Sequence, residues 1–376
     1  MRIGIPAETR AGETRVAASP ETVKKMLAAG HQVLVQQGAG AGSSIPDSEF
    51  QAAGATLVGV AEVYSQAEII LKVKAPTAAE LAQMKAGTVL IGLLAPHQAD
   101  QVAAYAKQGI TAFPMEKLPR TTRAQAMDVL SSQANIAGYK AVLVGAYHYK
   151  RFMPMLMTAA GTVKAARVVI LGVGVAGLQA IATAKRLGAV IEASDVRPAV
   201  KEQVESLGAK FIDVPYETDE EREAAQGVGG YAKPMPPSWL ERQKAEVAKR
   251  VAAADIVITT ALIPGRPAPV LVTEEMVKSM KPGSVIVDLA VEAGGNCPLT
   301  ELDKTVVKHN VTLVGDPNLA ASVGTDASAL YARNLLNFLN LLCDPKAGGT
   351  MNINREDDLI AGTLLCLNGE VVTAAK

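Results

Sequence analysis

Residues 168–195 read VVILGVGVAGLQAIATAKRLGAVIEASD, a run whose apolar opening raises the question of whether it spans a membrane. A span requires about 20 predominantly apolar residues. Gln179, Thr183 and Lys185 interrupt the run at the depth where a helix crosses hydrocarbon. Its glycines give a different reading: a strand, a turn carrying Gly172, Gly174 and Gly177, a helix from about Val175 to Leu187, and a second strand ending on Asp195. In such a unit the first glycine permits the tight turn, the second lets the backbone approach a pyrophosphate, and the third lets the helix pack closely on the sheet. Unpaired N–H groups at the helix start then face the phosphates. Glycine loops also serve plain turns, so the weight lies on context: apolar strand before, amphipathic helix after, acid at the end of the next strand. The stretch predicts a dinucleotide-binding unit.

Working outward, the 376 residues suit two domains, each able to bury its own core. Lysine plus arginine and aspartate plus glutamate both number 37, so no basic stripe is offered to a phosphate backbone and nucleic acid is not an expected partner. Cys297, Cys343 and Cys366 stand far apart without a CxxC pair, which argues against a disulfide framework or a metal site and for small core residues in a reducing compartment. The opening MRIGIPAETR reads directly as a strand, without a charged region followed by an apolar signal core. The expectation is a cytoplasmic chain with no membrane span of its own.

The first 130 residues alternate strand and helix. RIGIP is followed by SPETVKKMLAAG, with Ser19 as N-cap, Pro20 at the first helical position and Gly30 as terminator. HQVLVQQ, AEIILKVKAP, TVLIGLLAP and GITAFPM are further strands, the signature of a parallel sheet covered on both faces. A helix from about Gln133 to Phe152 is long enough to bridge two domains. DIVITTA and SVIVDLA extend the glycine-turn unit towards a six-stranded nucleotide fold, and a second long helix follows near Ser328. The predicted class is α/β: two doubly wound, parallel-sheet, Rossmann-like domains with a cofactor cleft between them. Residues 1–132 plus 326–376 form a discontinuous first domain and residues 133–325 the second.

Several residues carry candidate chemistry. Asp195 can accept from the adenosine ribose hydroxyls and repel a 2′-phosphate, favouring NAD, whereas Arg197 two positions on could pair with that phosphate. LPRTTRAQAMDVLSSQ places Gln125, Asp128 and Ser131 at three-residue steps on a predicted helix face, with Arg120 before it. Such steps commonly make only a solvated stripe. The functional alternative is a set of convergent polar groups that fixes a carboxamide and a ribose. Residues 215–239 read as a long loop, either a solvated surface loop or a lid in which Tyr231 follows Gly229 and Gly230. His31, His97, His148 and His309 show no catalytic pattern.

The segments GIPAETRAGETRVAASPETV, ILKVKAP, GVGVAG and VIVDLAVEAGGNC together resemble the family joining alanine dehydrogenases to the nucleotide-binding alpha subunit of proton-translocating nicotinamide nucleotide transhydrogenase, over nearly the whole chain. For the alanine dehydrogenase branch the resemblance implies Arg15 and Lys74 as holders of the substrate carboxylate and carbonyl. It also requires a histidine, whose place in LIGLLAP is taken by leucine, and an aspartate where this chain has Glu292. His97 lies a few residues beyond the required place. Proton transfer needs a group within roughly 3 Å of the reacting atom, so the displacement speaks against amino-acid oxidation.

For the transhydrogenase branch the resemblance implies direct hydride transfer between two nicotinamides, with no acid or base. Arg120, Gln125 and Asp128 match its arginine–glutamine–aspartate loop, with Ser131 following. Gly172, Gly174, Val175, Ala176 and Gly177 match the pyrophosphate turn, and Asp195, Val196 and Arg197 the adenosine end. Gly230 and Tyr231 match its mobile loop, in which Pro234 replaces the usual glutamate, and Gln243 and Leu262 match further nucleotide contacts. The implied cofactor is NAD(H), with NADP(H) on a partner subunit. The implied partners are NADP(H)-binding and membrane-spanning subunits and a second copy of this chain, with peripheral attachment to the inner membrane. Alternatives are an alanine dehydrogenase-like oxidoreductase and a noncatalytic NAD sensor.

Overall fold

The computed structural model describes residues 1–226, 235–262 and 265–372. The chain divides into two units, Met1–Gln133 with Ala320–Lys376, and Ala134–Leu319.

In the first unit, strands β1 (Arg2–Ile5), β2 (Gln32–Gln36), β3 (Thr56–Val58), β4 (Ile69–Leu71), β5 (Val89–Gly92) and β6 (Thr111–Pro114) run parallel in the order β3-β2-β1-β4-β5-β6. The first crossover helix, Pro20–Ala28, begins as its sequence dictates: Ser19 accepts from the Thr22 amide, Thr22 reciprocates, and Gly30 leaves the helix at φ +87°. The central strands are buried on both faces, as parallel strands between helical layers must be. Ile69, Leu71, Val89 and Ile91 pack with Tyr331, Leu335 and Phe338 of the Gly324–Leu342 helix. The intervening Ile70 and Leu90 pack with Val63, Tyr64 and Tyr105 on the other side. The carboxy-terminal strands Cys366–Leu367 and Glu370–Val371 extend the β6 edge antiparallel, Cys366 pairing with Ala112.

The second unit opens with a hairpin, β7 (Leu156–Thr158) and β8 (Gly161–Val163), that joins neither large sheet. Strands β9 (Arg167–Leu171), β10 (Val190–Ser194), β11 (Lys210–Phe211), β12 (Ile256–Thr259), β13 (Val285–Asp288), β14 (Lys304–Lys308) and β15 (Val311–Gly315) form a sheet in the order β11-β10-β9-β12-β13-β15-β14. Six strands are parallel, as the nucleotide fold requires. The seventh, β14, pairs antiparallel with β15 through a tight connection whose residues His309 and Asn310 have positive φ. Strand order reverses between β9 and β12, so the carboxyl ends of these two strands flank the crevice at which doubly wound sheets bind ligands.

Three expectations are corrected. The long helix runs Val129–His148, four residues earlier at each end than the Gln133–Phe152 reading. Gln125, Asp128 and Ser131 do not share one helix face: Thr122–Met127 is a 3-10 turn, Asp128 is extended (φ −75°, ψ 90°), and the α-helix starts after it. The 215–239 segment is not one long loop, since Asp219–Gln226 is a helix and Pro237 opens the helix Pro237–Ala253. Gly229, Gly230, Tyr231 and Pro234, on which the lid reading rests, lie outside the described residues.

Candidate functional site

The glycine turn follows β9 and opens the helix Val175–Arg186. Gly172 sits at φ +93°, and a Cβ there would meet Thr260 Oγ1 at 2.7 Å and the Ala261 amide nitrogen at 3.0 Å. A Cβ on Gly177 would lie 2.1 Å from the Gly172 carbonyl oxygen, so the helix closes on the strand as only glycine allows. Gly174 differs from both. No atom stands within 4 Å of a Cβ built there, and its backbone is extended at φ −83°, ψ −161°. The turn is thus tight at its two ends and open in the middle, where Val175 and Ala176 begin the helix with amides that lack intrahelical acceptors. A pyrophosphate fits this cradle.

Asp195, just past β10, closes the turn from the side. Its Oδ2 accepts from the Val173 amide at 2.8 Å and its Oδ1 from the Arg197 amide at 2.9 Å, while the Arg197 guanidinium donates to both oxygens at 2.9 Å. Val196 is half-buried beside the pair. Gln243 of the Pro237–Ala253 helix reaches Ser194 Oγ at 3.4 Å, at the end of the same strand. A cavity of about 200 Å³ is lined by Asp195, Lys201, Phe211, Ile212, Asp213, Val214, Tyr216 and Trp239. Tyr216 and Trp239 stack with centroids 5.9 Å apart, Trp239 Nε1 donates to the Val214 carbonyl, and Lys201 pairs with Asp213, which holds its ammonium above the usual lysine range. The sequence reading missed these lining residues. The apolar pair Phe211 and Ile212 at the next strand was the available signal.

Leu262 follows β12 and is exposed. The backbone before it is clamped by Asn296, fully buried, whose Oδ1 accepts from the Ala261 amide and whose Nδ2 donates to the carbonyls of Ala261 and Pro269. Thr260 donates to the Gly172 carbonyl at 2.8 Å, tying this loop to the glycine turn.

The second set of candidates lies in the first unit. Asp128 caps the Val129–His148 helix, its carboxylate accepting from the Ser131 amide at 2.9 Å and the Ser131 hydroxyl at 2.6 Å. Arg120 and Gln125 are exposed, Gln125 on the 3-10 turn. Asn334 and Asn337 both donate to the Ala126 carbonyl at 2.9 Å, and Arg123 pairs with Asp357 and Asp358, so the segment is pinned from two sides. The structure brings Asp128 and Ser131 into contact and holds Gln125 next to them on a fixed turn.

The groups required for amino-acid oxidation are arranged otherwise. Arg15 is buried, with Nε and Nη2 on the two oxygens of Glu13 at 2.7 Å and Nη1 on Gln133 at 2.9 Å. The nearby buried ammonium belongs to Lys72, which pairs with Glu8 and Glu80 at 3.3 Å, burial pushing the Glu8 carboxyl up and Lys72 helping to hold Glu80 down. His31 is buried and its imidazole pushed down by desolvation, His148 stacks edge-on against Tyr147, and His309 meets Glu274 on the surface. Burial also raises the three thiols, Cys343 to about 11, so none is an ionised nucleophile at neutral pH. Among the described residues no group of His, Cys, Asp or Glu is placed to hold a metal, and no helix is long and apolar enough to cross a membrane.

Two doubly wound sheets, one with a glycine turn closed by an acid at the next strand end, define a protein of the nicotinamide-dinucleotide-binding α/β class. Residues 4–137 match the model for the alanine dehydrogenase/PNT N-terminal domain and residues 141–374 that for the C-terminal domain. The chain belongs to the alanine dehydrogenase/PNT family. It is 55% identical to the first of the chains that make up NAD(P) transhydrogenase subunit alpha in Rhodospirillum rubrum, over 100% of this chain and 98% of that one. It is 35% identical to alanine dehydrogenase of Mycobacterium tuberculosis over 86% of this chain and 82% of that protein. The solved transhydrogenase from Sinorhizobium meliloti shares its fold with a TM-score of 0.89 at 49% identity, covering 99% of this chain and 100% of that one.

Proposed function

We propose that this chain is the NAD(H)-binding component of a proton-translocating transhydrogenase, passing hydride directly between NADH and NADP+ held on a partner subunit. A further, membrane-spanning partner couples the transfer to proton movement and keeps this chain at the cytoplasmic face of the inner membrane. Gly172, Gly174, Val175, Ala176 and Gly177 hold the pyrophosphate, and Asp195, Val196 and Arg197 the adenosine end, with Gln243 and Leu262 as further contacts. Arg120, Gln125, Asp128 and Ser131 serve the nicotinamide end. The bound nucleotide supplies the hydride, and the chain supplies position. Gly230 and Tyr231 are assigned to a closing loop on the family resemblance alone.

The observation that favours this reading over amino-acid oxidation is the state of Arg15. A guanidinium already forked onto Glu13 in the buried interior is a poor receptor for a substrate carboxylate. Direct transfer between nicotinamides has no need of it.

A homodimer is also proposed. The β7–β8 hairpin is a two-stranded sheet on its own, an arrangement marginal in water. Its region exposes Tyr147, Phe152, Met155 and Met157, the last at 71%. Apolar side chains gathered in this way mark a protein contact.

The test uses the purified chain with an NADP(H)-binding partner and a nicotinamide analogue as hydride acceptor. Gln125→Asn keeps the amide but shortens its reach by one methylene, and a displacement near 1 Å costs about a hundredfold in a geometry-limited step. The variant is expected to bind NADH within severalfold of the parent while transfer falls by one to two orders of magnitude. Undiminished transfer removes Gln125 from the site. Alanine-dependent NADH formation by the chain alone overturns the transhydrogenase reading, and NADH binding without exchange to any partner points instead to a sensor.

A further inference from the structure

The carboxylate assigned to the ribose is already saturated from within the chain. An ionised carboxylate offers about four acceptor positions. On Asp195, Oδ1 takes the Arg197 amide and Arg197 Nε, and Oδ2 takes the Val173 amide and Arg197 Nη2, all at 2.8 to 2.9 Å. Arg197 Nη2 also donates to the Val173 carbonyl at 3.2 Å, fastening the side chain to the glycine turn. The two backbone donors are part of the fold. The two guanidinium bonds are not, and they occupy one position on each oxygen. A ribose diol needs the same thing, one acceptor position on each of two oxygens, and it can be received once the guanidinium leaves.

We propose that Arg197 is a specificity-determining residue that competes with the adenosine ribose for Asp195, weakening NAD(H) binding and sustaining a residual affinity for NADP(H). The inference rests on the reading that Asp195 receives the ribose. With NAD(H), the displaced guanidinium gives up a charge-assisted fork and finds no equivalent anion on the ribose. With NADP(H), it gains the 2′-phosphate, for which forked pairing is well suited. Lys201, the other cation lining the cavity, is held by both oxygens of Asp213 at 2.9 and 2.8 Å, which leaves Arg197 as the group adjacent to the ribose position. Removing the guanidinium therefore acts on the two nucleotides with opposite sign.

Arg197→Met keeps the aliphatic stem without the charge. The chain has one tryptophan, and Trp239 lines the same cavity as Asp195, so quenching of its fluorescence reads occupancy of the intact protein directly. Dissociation constants are measured for NADH, NADPH and ADP-ribose, which carries the same adenosine half without the nicotinamide. NADH and ADP-ribose are expected to bind about threefold to tenfold more tightly in the variant, and NADPH more weakly by a similar factor. Arg197→Lys keeps the charge and loses the fork, so it should gain for NADH while retaining NADPH, and it decides the matter if the methionine variant does not fold. NADH affinity that is unchanged or lower in both variants overturns the competition, and NADPH affinity that does not fall in Arg197→Met overturns the specificity role. A parent that binds neither NADH nor ADP-ribose overturns the reading of Asp195 and the competition with it, whereas a parent that binds both isolates the failure to Arg197.

Discussion

The three glycines of the turn make three separable demands. Gly177→Ala puts a methyl 2.1 Å from the Gly172 carbonyl, with the carbonyl carbon at 3.0 Å, and backbone on both sides leaves nothing flexible to give way. Forced overpacking of this kind costs about 1–3 kcal/mol or more. Gly174→Ala meets open space and asks for an extended φ that alanine adopts without strain. The prediction is a dissociation of effects. Thermal melting should show Gly177→Ala lowered and Gly174→Ala close to the parent, while NADH titration should show Gly174→Ala weakened because its methyl occupies the approach to the helix-start amides. If Gly174→Ala binds NADH as well as the parent, the pyrophosphate does not sit over this turn.

At the level of elements, the Arg120–Ser131 segment owes its fixed shape to long-range pins. The Ala126 carbonyl accepts from Asn334 and Asn337, and the Asn334 Oδ1 accepts from the Ser132 hydroxyl at 2.7 Å. Removing both amides by Asn334→Ala with Asn337→Ala strips that carbonyl of its protein donors among the described residues, at about 0.5–1.5 kcal/mol per bond. Amide exchange across residues 120–131 should speed up and hydride transfer should fall, with NADH affinity changing less than transfer. Unaltered exchange would show that the Arg123 pairs alone suffice. Such pins explain which elements are legible in sequence and which are not. The glycine turn, the Ser19 cap and the buried parallel strands are set by neighbours in the chain, and the sequence shows them. Three-residue spacing, by contrast, suits both a helix face and a 3-10 turn followed by a cap, and only the Asp128 bonds to Ser131 decide it. The helix Asp219–Gln226 was hidden by the glycines and prolines that follow it, although its first turn carries Asp219, Glu220 and Glu221, as a helix start favours. The antiparallel strand β14 and the carboxy-terminal strands are short edge pairings, and Asn334 lies 208 residues from the Ala126 carbonyl it holds. No local pattern announces contacts of that kind.

For the whole molecule, the hairpin makes the dimer testable without touching either sheet. β7 is exposed at all three of its residues, and Met155 and Met157 are exposed by 60% and 71%, so neither methionine contributes to a core within the chain. Surface substitutions away from packed features usually change stability by no more than about 0.5 kcal/mol. Met155→Glu with Met157→Glu should therefore leave the fold of the single chain intact. In a dimer that buries this hairpin, the same change places two carboxylates per chain in an apolar contact without partners, a cost of several kcal/mol per charge before relaxation. Light scattering after size exclusion should then report a parent mass of twice 39.1 kDa and a variant mass of 39.1 kDa, with the variant still quenching Trp239 fluorescence on adding NADH. A parent that elutes at the mass of one chain, or a variant that stays paired, removes the hairpin from any dimer contact. The nucleotide readout separates lost association from a damaged glycine-turn unit, because the cavity beside Asp195 and the hairpin share no residues.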